Sequence, residues 1–187
     1  MQNKTLAAFM IAILSIFVLI GHVEKVQEDP EKVTLEYLKH VVLDFAQKHK
    51  DEKDVIVVNK NAHLLYYVRD GKIVENANWN GFKISFPVKI SIAGKYYRTP
   101  EGEMFVDRKN PYSQYTRFLS LSVPGAYGIH GAPTYLKNYI AKKEKEDPNL
   151  VLVTKQDNTR GCVAVENRVM YYLYSQVDVN TPVLITP

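Results

Sequence analysis

The sequence predicts a mainly β fold, a sandwich or barrel of short strands, preceded by one helix and decorated by two more. Three observations carry this. From residue 54 onward most apolar segments are short, rich in β-branched and aromatic residues and of period two. Strong turn signals separate them: Asp70-Gly71, Asn80-Gly81, Thr99-Pro100-Glu101-Gly102 and Pro124-Gly125. Helical spacing is confined to three stretches, residues 30–50, 133–147 and 168–176.

In chain order, residues 30–50 place Val33, Tyr37, Leu38, Val41, Val42 and Phe45 on one helical face. His40 and His49 lie too far apart along that helix to form a metal pair. Strands follow over 55–58 and 63–69, and Asp70-Gly71 turns the chain into 72–74. Trp79-Asn80-Gly81 ends that unit. Further strands are expected over 88–93, 104–106, 118–123 and 127–129. A polar helix over 133–147 is ended by Pro148, and 151–153 is a short strand or core plug. Residues 162–165 form a strand or strand exit. Asn167 is expected to cap a helix over 168–176, with Met170, Leu173, Tyr174 and Val177 packing on the sheet, and 181–186 closes the fold.

The chain has 187 residues, which fits one domain plus short additions, and 46% of them are apolar, enough for a core. Net charge is +4, and the charged run Lys142-Lys143-Glu144-Lys145-Glu146-Asp147 mixes both signs. No basic run is interleaved with aromatics, so nucleic acid is not an expected partner. Residues 6–20 carry no charge and one polar residue, Ser15. That length suits a signal-peptide core and falls short of the roughly 20 residues of a full span; extension to Val23 gives a marginal one. Residues 1–23 are expected to be a signal anchor or a signal peptide, the absence of a small-x-small cleavage site near Gly21 favouring the anchor and its membrane contact; either way the body is exported. A helical stem over 24–53 and a catalytic domain over 54–187 complete the expected organisation.

Export gives the single cysteine its meaning. Cys162 has no partner for an internal disulfide, and an idle thiol outside the cytoplasm is open to oxidation. Gly161 before it permits a tight backbone and a close substrate, with backbone N–H groups of Cys162 and Gly161 as oxyanion donors. Arg160 has three readings: a cation favouring the thiolate, a substrate-carboxylate ligand, or a solvated surface residue. Thr159 either bonds near the site or caps the turn. A thiol nucleophile needs a base close in space. Of five histidines, His130 is the best candidate, at a strand end between Gly128 and Gly131 in Tyr127-Gly128-Ile129-His130-Gly131.

His130-Gly131, followed by Thr159-Arg160-Gly161-Cys162-Val163, resembles the L,D-transpeptidase catalytic domain (YkuD-like) family. Leu64-Leu65-Tyr66-Tyr67-Val68 with Asp70-Gly71-Lys72 resembles its opening hairpin. Thr99-Pro100-Glu101-Gly102 resembles its Thr-Pro-x-Gly turn, and Asn180-Thr181-Pro182-Val183-Leu184-Ile185 its terminal strand, with Asn for Gly. The resemblance covers residues 54–187. It implies an enzyme on peptidoglycan stem peptides, with Cys162 as nucleophile, His130 as general base and acid, Gly161 at the oxyanion site, and no metal or cofactor. Arg160, Thr159, Tyr127 and Gly131 are the candidate substrate-binding residues. The resemblance also implies a depressed Cys162 pKa and acylation by a carbapenem.

Three departures stand out. The spacer from His130 to Cys162 is longer than usual, and the excess matches the helix over 135–146, either a lid or partner surface or a decoration. Arg160 stands where the family often has histidine, which leaves the base role to His130. Ala164 stands where many members have arginine, which opens the choice between transfer and hydrolysis. The alternatives are an L,D-carboxypeptidase or cross-link hydrolase on the same fold, and a non-catalytic wall-binding module.

Overall fold

A computed structural model describes residues 30–147 and 150–187. The apolar segment 6–23 lies outside them, and among the described residues no helix is long and apolar enough to cross a membrane. The chain divides into two units, Met1–Glu36 and Tyr37–Pro187. Of the first, only the opening residues of a helix are described; all that follows concerns the second.

Helix α1 (Pro30–Lys48) runs to within two residues of its expected end. Leu38, Val42, Phe45 and Ala46 bury their side chains against Val55, Val57, Tyr66 and Val68. Each such aliphatic or aromatic burial is worth about 1.5–3 kcal/mol. From Tyr37 onward, the segment expected to be a stem therefore belongs to the same unit as the sheet. The buried face is narrower than the apolar spacing suggested, for Tyr37 is 65% exposed.

The strands are β1 (Asp54–Asn59), β2 (Leu64–Arg69), β3 (Lys72–Ile73), β4 (Asn76–Trp79), β5 (Phe82–Ser85), β6 (Val88–Lys89), β7 (Gly102–Asn110), β8 (Phe118–Leu121), β9 (Gly128–His130), β10 (Val163–Ala164) and β11 (Pro182–Thr186). Among the described residues, nine of them form a curled sheet in the order β10-β9-β8-β7-β11-β1-β2-β3, with β6 also on β2. β1 pairs parallel with β11 and antiparallel with β2. Its unbroken apolar run has a simple cause: Val55 and Val57 face α1, while Ile56 and Val58 face the main core. β7 bends at a register shift between Val106 and Arg108, so its first half pairs with β11 and its second with β8. This bend turns the sheet toward the β8-β9-β10 edge, where the candidate site lies.

Helix α2 (Lys137–Glu146) follows a 3-10 turn, Thr134–Leu136. Helix α3 (Asn167–Gln176) buries Val169, Met170 and Leu173 in the main core, and Val177, just past its end, joins them. Four expectations need correction. Asn80-Gly81 does not end the first unit. It is the turn of a separate hairpin, β4–β5, whose Trp79 stacks on Tyr171 of α3 at 6.3 Å. The strand expected over 88–93 shrinks to β6, because the chain leaves β2 and makes isolated bridges from Ser91 to Ala164 and Ala93 to Thr159. Residues 151–153 form no strand; the amides of Leu152 and Val153 bond to a side chain described below. Asn167 does not cap α3: the residue before the helix is Glu166, and the Asn167 side chain reaches across to Ala132.

Candidate active site

β9 and β10 are parallel neighbours, with Val163 opposite Ile129 and Ala164 opposite His130. Paired residues share a face and alternate residues return to it. Continuing that alternation one residue back puts Cys162 on the face of Ala164 and His130, beside Gly128. Such a diagonal pair has backbones about 7–8 Å apart, a span that a thiol and an imidazole can close from both sides. The Cys162 sulfur lies 3.6 Å from the Ala126 carbonyl, to which the thiol donates.

The turn into Cys162 is held by Thr159. Its hydroxyl donates to the Cys162 carbonyl at 2.7 Å and accepts the Gly161 N–H at 3.2 Å. Thr159 therefore serves the turn, one of its two expected readings. The same bond engages the Gly161 N–H, one of the two donors expected at the oxyanion site. The Cys162 N–H has no acceptor among the described residues and is the donor that remains. Gly161 has φ +117°, and a Cβ there would run into the Tyr127 ring and lie 2.8 Å from the Arg98 carbonyl. Gly161→Ala is expected to cost about 3 kcal/mol, strain and overlap together. A denaturant midpoint unchanged from wild type would show that this turn tolerates a side chain.

Tyr127 packs on the nucleophile turn. Its ring contacts Gly161 on one side and the Gly125 Cα region on the other, and it is absent from the residues lining the cleft.

His130 is buried, and its ring stacks on Tyr115 at a centroid distance of 3.7 Å. Nδ1 lies 2.7 Å from the Gly131 carbonyl. A carbonyl only accepts, so Nδ1 carries the proton and Nε2 keeps its lone pair. Burial holds the His130 pKa down to about 4, against which the bond to Gly131 works in the other direction. At neutral pH the ring is an uncharged base. Burial also pushes the Cys162 thiol up, with a Gly128 N–H opposing. This corrects the expected depressed thiol. The physical reason is burial, which among the described residues no cation offsets: the Arg160 guanidinium is exposed, 6.0 Å from the Tyr97 ring. The pair is thus thiol and imidazole, not thiolate and imidazolium.

Gly131 is required by close packing: a Cβ would sit 2.6 Å from Asn167 Oδ1, which accepts the Ala132 N–H at 2.9 Å. Thr116 holds the same segment, its N–H and hydroxyl both bonding the Ala132 carbonyl. In front of these residues opens a cleft of about 670 Å³. His130, Gly131 and Ala164 line its base, Thr159 and Arg160 one rim, and Tyr135, Leu136, Tyr139 and Ile140 the wall built by the long spacer. Of the candidates, His130, Gly131, Thr159 and Arg160 meet in this cleft; Cys162 and Tyr127 are not among its lining residues. Tyr115, Asn167 and Glu166 were missed as contributors; Asn167 read as a cap, and nothing in its spacing pointed across to Ala132.

The curled sheet thus carries His130 at the end of one edge strand and Cys162 directly before its parallel neighbour. The family model for the L,D-transpeptidase catalytic domain (YkuD) matches residues 53–185, and the chain belongs to that family. Solved structures share the fold. An L,D-transpeptidase from Mycobacterium tuberculosis H37Rv is 18% identical at TM-score 0.52, covering 72% of this chain and 58% of its own. L,D-transpeptidase 3 from Mycobacterium tuberculosis, with a faropenem-derived adduct, is 16% identical at TM-score 0.53, over 72% and 60%. One from Mycobacterium smegmatis is 14% identical at TM-score 0.51, over 72% and 59%. The chain thus spans less than two thirds of these relatives. No curated protein sequence matches it.

Proposed function

We propose that this protein is an L,D-transpeptidase that moves acyl groups between peptidoglycan stem peptides through a Cys162 thioester. The observation that supports the reading is the pairing of β9 with β10, which brings His130 at the end of β9 and Cys162 just before β10 toward one face, with the His130 tautomer set by Gly131. The Cys162 sulfur attacks the carbonyl of the third stem residue while His130 Nε2 takes the thiol proton. The Cys162 N–H stabilises the oxyanion. On collapse His130 returns the proton to the leaving D-alanine amine. A side-chain amine of a second stem then attacks the thioester, its proton passes to His130, and Cys162 leaves as the thiol. Arg160, which lines the cleft, would meet a substrate carboxylate. The uncharged run 6–20 supports a protein tethered at the membrane with its catalytic unit facing the wall.

Purified protein incubated with tetrapeptide muropeptides and read by mass spectrometry should yield cross-linked dimers. Tripeptide without dimers would replace transfer by hydrolysis on the same thioester. No change in either, where an established relative acts, would remove both. The faropenem-derived adduct on L,D-transpeptidase 3 suggests a second readout, a penem mass adduct on Cys162 of the intact protein.

A further inference from the structure

Glu166 lies in the turn between β10 and α3 and is only 7% exposed. Its Oε1 accepts backbone N–H groups from Leu152 at 2.9 Å, Val153 at 2.8 Å and Thr154 at 3.2 Å, and the Thr154 hydroxyl at 3.2 Å. These are successive amides of an irregular strap that returns from the spacer toward Cys162, and among the described residues no strand offers them carbonyls. A buried carboxylate has taken the place of a neighbouring strand. Leu152 and Val153 line the cleft that also contains His130. The next residue, Asn167, holds the opposite side through Ala132. Two consecutive side chains, placed just beyond the nucleophile strand, thus hold the two walls.

We propose that Glu166 is a positioning residue that fixes the spacer as a substrate-binding wall, so that the spacer is part of the peptide site and not decoration. This rests on the acyl-transfer reading. An extended peptide laid across His130 would run between the 131–133 segment and the 152–153 strap. Freeing the strap loosens substrate binding while the Cys162–His130 pair, held by β9 and β10, keeps its geometry.

The test uses the whole protein with Glu166→Ala and Glu166→Gln, and three measurements. Amide exchange at 152–154 should be slow in wild type and at least about 10²-fold faster in the alanine variant. KM for a stem tetrapeptide should rise about ten-fold in that variant with kcat within about two-fold. Alkylation of Cys162 by iodoacetamide, which needs no cleft wall, should be unchanged. Glutamine keeps an acceptor oxygen and should restore most of the protection and of KM. Wild-type amides exchanging as fast as an exposed loop would overturn the tether. So would a faster-exchanging alanine variant with unchanged KM, or equal losses in kcat and alkylation. If the alanine variant does not fold, the glutamine variant decides, with a partial gain in exchange matched by a partial rise in KM expected and either change alone counting against the proposal. If wild type turns over no stem peptide, the transpeptidase reading falls, and exchange at 152–154 still accepts or rejects the tether.

Discussion

Serine in place of Cys162 is expected to leave a folded protein whose stem-peptide turnover is at least about 10³-fold lower, the scale of loss when a nucleophile is removed. The fold should survive because the exchange is nearly isosteric and a serine hydroxyl can make the same donation to the Ala126 carbonyl. The chemistry should not, because an alcohol is a far poorer nucleophile than a thiol when an uncharged imidazole is the base on hand. The same structure explains why this thiol does not sit as a thiolate. Burial raises its pKa, and the nearest expected cation, Arg160, faces solvent over Tyr97. Single-turnover mass spectrometry of the thioester is the direct measurement. A serine variant within about ten-fold of the wild-type rate would place the nucleophile elsewhere.

The second large effect belongs to His130. His130→Ala should slow thioester formation by about 10²–10⁴-fold, the usual contribution of a positioned general base. The pH dependence makes the assignment specific. With its pKa held near 4, His130 stays a competent base down to that pH, so wild-type acylation should fall only as pH drops through about 4. The variant should lack that limb. A limb at the ordinary histidine value near 6.5 would show that burial does not act on this ring as described. Stability carries the same signature with a definite sign. The folded pKa lies below the unfolded one, so protons bind the unfolded chain more readily between the two values. His130 then leaves stability intact above pH 6.5 and lowers it as pH falls toward 4, by about 3 kcal/mol in total. A His130→Asn protein should show a shallower loss across that window in denaturant titrations. An identical slope would assign the acid sensitivity to other groups.

The mainly β class was legible in the sequence, and Cys162 and His130 stand out there as candidates, for reasons that can be named. Cys162 is the single thiol, preceded by a glycine whose φ of +117° only glycine accepts readily. His130-Gly131 reads because Gly131 must yield space to Asn167, a local steric demand that leaves a glycine in the sequence. β1 and β2 read because both faces or alternate residues are buried, which writes itself as an apolar run.

What was not legible depends on partners distant in sequence. The Asn80-Gly81 turn looked like an end because the pairing of β4 with β5 has no long apolar run behind it. The 151–153 segment is apolar and β-branched, yet its amides go to Glu166 and not to a strand. Arg160 reads identically whether it faces the sulfur or a tyrosine; only the packed structure chooses.

The mainly β class was thus determined by the sequence alone, and Cys162 and His130 were singled out by it as candidates, since each rests on local chemistry or on a periodicity within one segment. The burial of both groups, the bond that engages the Gly161 N–H and the place of the spacer along the cleft were decided by tertiary structure. Burial, a hydrogen bond already taken and a carboxylate reaching from Glu166 to 152–154 exist only once separate segments meet.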